Sequence, residues 1–312
     1  MDNLILAFNV VLPLFLCIVL GYFLRRIKML DAVTLKSLNK LCFKVFLPFY
    51  LFNNLYTTDI GSAFNIKLIA TGVGGILALW GLMMFFIPRM EKEDARRGVM
   101  IQGIFRSNFA LFGLPVALSL CGEANMGPTS LMIGVMVPVY NVLAVITLET
   151  FRGGKPSIRK ILRGIATNPL IISSLLGIVA NLLDISLPTA VSKSIVDLGR
   201  IATPLSLVAL GGEFVFSSIR DFRRQLITVV SGKLVLAPMV MVIIAALLGF
   251  RNEYLVPILI MFGAPTAVSS FPMAQQMGGD SELAASIVVF TTALAILTIF
   301  LWIFILKQLM LI

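Results

Sequence analysis

Ten stretches of about 20 apolar residues follow one another in this chain, each long enough to cross the hydrocarbon core of a bilayer. They run near 3–24, 41–57, 67–88, 99–121, 128–150, 161–183, 192–217, 226–249, 255–278 and 284–308. In lipid every backbone N–H and C=O needs a partner within the protein, so apolar runs of this length are read as helices. The expected fold class is an all-α membrane protein with ten transmembrane helices. Of the 312 residues 13% are charged, against about 25% in soluble domains, and the mean hydropathy is +1.00. No connection is long enough for a soluble domain, which leaves the helix bundle as the place where the chain must act.

Charge patterning sets the expected orientation. Seventeen of the 25 lysines and arginines, from Arg25 to Arg224 and including Lys155 and Lys160, follow odd-numbered stretches. Lys67, Lys193, Arg251 and Lys307 lie on the other side, while Lys44, Arg106, Arg200 and Lys233 fall inside stretches. By the positive-inside rule both termini face outside. The segment MGGDSE, with no basic residue, is the exception. The net charge of +10 thus belongs to the lipid bilayer rather than to a nucleic acid. The first stretch follows Asp2, without a basic leader, and reads as a retained helix rather than a signal peptide. Cys17, Cys42 and Cys121 show no metal spacing and histidine is absent, so no metal site and no imidazole chemistry is expected.

The two halves resemble each other. Pro13, Gly21 and Pro48 recur as Pro169, Gly177 and Pro204 at an offset of 156, and Lys44 recurs as Arg200. Further on the offset is 157: Pro115, Ala117, Gly122 and Glu123 correspond to Pro272, Ala274, Gly279 and Asp280. Each half, 1–151 and 152–312, holds five stretches, an odd number, so the second half enters the membrane upside down. Two inverted five-helix repeats are the usual construction of secondary transporters.

Proline removes an N–H and displaces the carbonyl four residues earlier: that of Leu111 for Pro115, Val268 for Pro272 and Met261 for Pro265. Stretches four and nine are therefore read as broken, with half-helices beginning near Pro115 and Pro272. Polar residues gather at the breaks: Ser107, Asn108 and Gly113 in one, and Thr266, Ser269, Ser270, Gln275 and Gln276 in the other. Two helix N-termini meeting at membrane depth, each with a partial charge of about +0.5, would attract an anion.

The stretch NFALFGLP, Asn108 to Pro115, resembles the fourth-helix crossover motif of the auxin efflux carrier family, which includes plant PIN-type carriers and bacterial organic-acid permeases. LNKLCFKVFLP (38–48) and VYNVLAVITLETF (139–151) are similar to that family's second and fifth spans, and the likeness runs through the whole chain. The resemblance implies a ten-helix carrier in the cytoplasmic (inner) membrane of a bacterium, with a scaffold part and a transport part each built from both repeats. It implies an elevator-like or rocking alternating-access cycle, with Asn108 at the substrate carboxylate and Pro115 and Pro272 marking the crossover. Asn141, next to Tyr140, falls near a position that is aromatic in the plant carriers; asparagine there favours a smaller, more polar substrate. The fifth loop is only about 12 residues, so the long cytosolic loop of many plant members is missing.

Together these readings predict a carrier of a small organic anion, a mono- or dicarboxylate, at the crossing of stretches four and nine. The substrate-binding candidates are Asn108, Gly113, Pro115, Tyr140, Asn141, Ser270, Pro272 and Gln275. Charged side chains inside spans cost about 2.5 to 3.5 kcal/mol even on insertion scales, which makes Arg106, Lys44, Arg200 and Lys233 candidates for charge or gating roles. Lys44 and Arg200 are expected near span ends, where they can snorkel, and Asp197 is spaced to pair with Arg200. No acidic residue sits at a span centre. Thr266, Ser269 and Gln276 could coordinate Na⁺, so Na⁺ coupling and uncoupled transport are both open, and no other cofactor is expected. A bile-acid-type Na⁺ symporter and a cation/proton antiporter are the alternatives within transport. A membrane sensor or scaffold is the alternative outside it, and an enzyme is not expected. Both a monomer and a homodimer fit.

Overall fold

A computed structural model describes residues 2–58, 65–153, 158–214 and 218–312, without the side chains of 2–11, 160, 218 and 219. Lys155 and the last residues of the expected seventh span, 215–217, lie outside the described residues. The described chain is helical, with a lone antiparallel β-bridge between Ser107 and Thr266.

The order is α1 (Asp2–Arg26), α2 (Ala32–Leu41), a π-turn (Cys42–Phe46), α3 (Leu47–Tyr56), α4 (Ile66–Met90), α5 (Asp94–Phe105), a π-turn (Phe109–Gly113) and α6 (Leu114–Cys121). Then come α7 (Gly127–Thr150), α8 (Ile158–Thr167), α9 (Pro169–Leu182), α10 (Thr189–Glu213), α11 (Ser218–Asp221) and α12 (Arg223–Ser231). A third π-turn (Gly232–Leu236), α13 (Ala237–Leu247), α14 (Leu255–Gly263), α15 (Ser270–Gln276) and α16 (Ser281–Gln308) complete it. Among the described residues five helices are singly long and apolar enough to cross a membrane: α4, α7, α10, the continuous α12–α13 and α16. The pair Ile161–Thr167 and Pro169–Leu182, bent by 55°, makes up to six.

Short polar side chains start the helices. Asp31 Oδ1 accepts the N–H of Thr34 at 2.7 Å, Asn65 Oδ1 that of Leu68 at 3.0 Å, Asn168 Oδ1 that of Leu170 at 2.9 Å and Asp280 Oδ1 that of Leu283 at 3.0 Å. Each satisfies an N–H that has no partner inside its own helix. Glycines stop the short helices: Gly122 after α6 and Gly278 after α15 have φ of 73° and 80°, where a side chain is strained. The conformational counterpart of Gly122 is thus Gly278, not the Gly279 matched by sequence.

Each π-turn runs directly into a helix whose second residue is proline: Pro48, Pro115 and Pro238. The ring cannot sit on the carbonyl four residues back, and one wider turn relieves the clash without ending the helix. Pro115 therefore does not mark the break in the fourth stretch. That break is at Arg106–Asn108, where α5 ends and the turn beginning at Phe109 follows. The break in the ninth stretch covers Ala264–Ser269, with Pro265 inside it and Pro272 in the first turn of α15. Displaced carbonyls find new donors. Tyr140 Oη donates to Met261 O at 3.2 Å, and Trp302 Nε1 to Leu234 O at 3.0 Å.

Burial follows from the breaks. Every residue of α14 is buried, as are all of α5 from Gly98 to Phe105. Helices this short cannot cross a bilayer alone, so their ends must be shielded by protein. Around them α1 packs on α10, α3 on α9 and α10, α4 on α5 and α7, α13 on α14, and α15 on α16. The tightest crossing is between α1 and α10: a Cβ added at Gly21 would lie 2.0 Å from Val208 O, and one at Gly211 would lie 2.0 Å from Ile18 O. Gly177 meets Phe52 O in the same way at 2.7 Å, joining α9 to α3. Small residues of this kind let helix backbones touch, which is how membrane helices gain packing energy.

The turn from α4 to α5 is held by Glu91, whose Oε1 accepts the N–H groups of Lys92 at 2.8 Å and Glu93 at 3.0 Å while Oε2 accepts Gln225 Nε2 at 2.6 Å. Burial pushes its carboxyl up, but these hydrogen bonds and nearby Arg96 outweigh it and hold the group below its ordinary value. A depressed folded-state value adds stability above the ordinary carboxylate range and loses it as pH falls. Thermal unfolding in detergent should therefore show Glu91→Gln below wild type at neutral pH, with the gap closing as pH drops through the carboxylate range. Gly211→Ala forces a backbone clash that no side-chain motion relieves. The same measurement should show it clearly destabilised, whereas Gly81→Ala, where a Cβ meets nothing within 4 Å, should match wild type.

Candidate functional site

The two breaks cross one another. Asn108 N–H donates to Pro265 O at 2.8 Å and Ala267 N–H to Arg106 O at 3.4 Å, forming the Ser107–Thr266 bridge. Thr266 ties this bridge to both flanking helices: its N–H donates to Thr291 Oγ1 at 3.2 Å and its hydroxyl to Gly103 O at 2.7 Å.

Arg106, the first residue of the first break, is 3% exposed. Its Nη2 donates to Asn141 Oδ1 at 2.7 Å and Ser269 Oγ at 3.0 Å, and its Nη1 to Met273 Sδ at 3.0 Å and more weakly to Gln102 Oε1 at 3.4 Å. Every partner is neutral. Gln102 in turn donates to Ser270 O at 3.0 Å, so the neighbours that orient the guanidinium are themselves fixed. Four neutral acceptors hold the cation in place without cancelling its charge, and in a low-dielectric interior that charge is felt strongly.

Beside Arg106 lies a cavity of about 50 Å³ lined by the crossing (Arg106–Leu111 and Ala267–Ser269), by Val137, Tyr140 and Asn141 of α7, by Leu47, Tyr50, Leu51 and Asn54 of α3, and by Thr203 and Ser206 of α10. Among the described residues no acidic side chain lines it. Asn108 Nδ2 is buried there without a hydrogen-bond partner, a donor left for something else to accept. The walls from α3 and α10 were not anticipated from sequence. Their signal is weak: polar Tyr50, Asn54, Thr203 and Ser206 inside apolar runs.

The other expected site residues are more scattered. Arg106, Asn108, Tyr140, Asn141 and Ser269 meet at the cavity. Gly113 lies outside its lining, at the packing of the π-turn on α14: an added Cβ would be 2.5 Å from Ile260 Cγ2. Pro115 is half-buried and Pro272 buried, neither in the lining. Ser270 is also outside the lining, its hydroxyl buried without a partner. Gln275 bridges other helices, accepting from Asn39 Nδ2 at 2.5 Å and donating to Glu213 Oε1 at 3.2 Å, which ties α15 to α2 and α10. Gln276 is half-buried and away from the cavity. The hydroxyl of Thr266 donates to Gly103 O and that of Ser269 accepts from Arg106 Nη2; of the three expected Na⁺ ligands, Ser269 is in the cavity lining and Thr266 and Gln276 are not.

Lys233 is fully buried in the third π-turn, with no hydrogen-bond partner for Nζ and no part in the cavity lining. Lys44 is exposed beside a separate groove of about 420 Å³ walled mainly by apolar residues, among them Pro48, Phe49, Phe52 and Leu176. Arg200 is exposed and is the twelfth of the 25 residues of α10, further from the helix end than expected. No ion pair joins it to Asp197; the described ion pairs are Arg96 with Glu93 and Asp280, Arg97 with Asp94, and Arg152 with Glu149.

Known proteins are similar to this chain over more than nine-tenths of its length. A protein of Rhizobium meliloti named "Putative malonate transporter" is 26% identical over 298 residues, covering 93% of this chain and 93% of its own. An uncharacterized transporter of Methanothermobacter thermautotrophicus is 24% identical over 296 residues, 94% of this chain and 96% of its own. One from Methanocaldococcus jannaschii is 22% identical over 304 residues, 94% and 97%. These relatives are named as transporters, not enzymes. The sequence pattern of the family described as membrane transport protein matches residues 6–160 and 155–303, and the chain belongs to that family.

Proposed function

We propose that this membrane transport protein carries a small organic anion, a mono- or dicarboxylate, and binds it where the two broken helices cross. The observation that carries the reading is Arg106: among the described residues it is a buried cation held by neutral acceptors, beside a cavity with no acid in its lining. Bringing a carboxylate to that guanidinium completes a charge-assisted pair, and Asn108 Nδ2 supplies a further donor. Malonate, in the name of the Rhizobium meliloti relative, is an anion of this class.

Ten spans in two inverted halves, 1–151 and 152–312, fit the helix order when α2–α3, α5–α6, α8–α9, α12–α13 and α14–α15 each count as one span. Gly21 and Gly177, 156 residues apart, support the repeat: each seats the first span of its half on the second span of the other. In this arrangement α1, α2, α3, α9 and α10 form a scaffold and the crossing helices form the moving part. The cavity of about 50 Å³ holds only one or two waters at about 30 Å³ each. Substrate is therefore admitted as the α3 and α10 wall separates from the crossing, in an alternating-access cycle. The distribution of basic residues among the loops supports termini outside, in a cytoplasmic membrane. A Na⁺ at Ser269 would face the Arg106 charge, so coupling through that hydroxyl is disfavoured.

The test is uptake and exchange by purified protein in liposomes, across a panel of mono- and dicarboxylates. Wild type should move at least one of them. Arg106→Gln should lose about a hundredfold in kcat/KM, since truncating a buried charged partner costs about 2 to 5 kcal/mol. Asn108→Ala should lose less, and both variants should keep a cooperative thermal transition. No carboxylate movement by wild type sinks the reading, and so does full activity in Arg106→Gln.

A further inference from the structure

A second cavity, of about 310 Å³, adjoins the first; Tyr50, Asn53, Asn54, Leu111, Arg200 and Thr203 are among its walls. Tyr50, Asn54, Leu111 and Thr203 line the Arg106 cavity too, so the two spaces share a wall. Arg200 lies about 16 Å along α10 from its first residue, at about 1.5 Å per residue. A guanidinium that far along a membrane helix persists where water or an anion reaches it. It is held at the cavity wall by the neighbouring crossing, where a Cβ on Gly199 would stand 3.1 Å from the Tyr50 backbone.

Arg200 is the charged residue among the described walls of this second space. Among the described residues no acidic side chain lines either cavity. Asp197, one turn away on the same helix, makes no ion pair with Arg200 among the described residues. The counterpart of Arg200 in the other half, Lys44, stands on a different groove with apolar walls and does not share a wall residue with the Arg106 cavity. The repeat is thus unequal: one of its two cations faces the route to the crossing and the other does not.

We propose that the Arg200 cavity is a second anion site, an antechamber that holds a small carboxylate before it passes between Tyr50, Leu111 and Thr203 to Arg106. The proposal rests on the reading of the Arg106 cavity as the transport site. Arg200 acts by raising the local concentration of the anion and lowering its escape, an electrostatic effect that salt screens. It belongs to the access side, so its charge matters for KM and the Arg106 charge for turnover.

The experiment uses the full chain in liposomes, with labelled malonate as the probe and initial rates at low and high potassium chloride. Arg200→Gln should raise KM about tenfold at low salt with kcat little changed, and its KM should depend less on salt than that of wild type. Arg200→Lys, which keeps the charge, should restore both. If Arg200→Gln keeps the KM and salt dependence of wild type while Arg106→Gln has lost transport, the antechamber is overturned and the crossing site stands. A fall in kcat at constant KM also overturns it, since that result assigns Arg200 to the moving steps. If wild type moves neither malonate nor any other carboxylate, both readings fall together.

Discussion

An unpaired peptide group inside a membrane has no water to turn to, and this structure is organised around two places where helices stop short of that requirement. The breaks at Arg106–Asn108 and Ala264–Ser269 satisfy one another: Asn108 N–H reaches Pro265 O, and Ala267 N–H reaches Arg106 O. Each break by itself would leave several peptide groups unpaired at a cost of several kcal/mol each. Crossed, they form a short antiparallel bridge. That solution requires both segments at the centre of the bundle, which is why α14 is buried along its whole length. Thr266, Thr291 and Tyr140 supply the remaining hydrogen bonds around it.

The same crossing decides the electrostatics. Because α5 ends at Phe105, Arg106 is carried into the interior at the point where α7 and α15 come closest to the bridge, and Asn141, Ser269 and Met273 fall within reach. Neutral acceptors lower the cost of burying a guanidinium but do not remove its charge. A site of this kind is incomplete without an anion, and this is the physical basis for the proposed substrate class. It also explains why the walls contributed by α3 and α10 matter: they keep bulk water from screening the cation while the cavity is closed.

Where sequence reasoning misplaced features, particular residues show the cause. Proline was taken as the location of the break, yet Pro115 is absorbed by a π-turn and the chain actually departs from helix at Arg106. A proline announces a lost hydrogen bond; whether the helix ends or widens depends on what packs against it. Gln275 looked like a site residue because it is an amide in an apolar run, but Asn39 and Glu213 use it to join three helices. Tyr50, Asn54, Thr203 and Ser206 gave the opposite error. They reach the cavity only because α3 and α10 lean on the crossing.

By itself the sequence determined that the chain is apolar, helical and membrane-bound, that its breaks fall in the fourth and ninth stretches, and that polar residues gather at those breaks. Those properties are local: they depend on transfer free energy, on proline and on composition along a few turns. Tertiary structure alone decided that Pro265 serves Asn108, that the described partners of Arg106 are all neutral, and that Arg200 and Arg106 stand on adjoining cavities. These are pairings between residues far apart in the chain. Their energies arise from helix contacts that no stretch of sequence contains, and the backbone groups left over by each break could have been satisfied in more than one way.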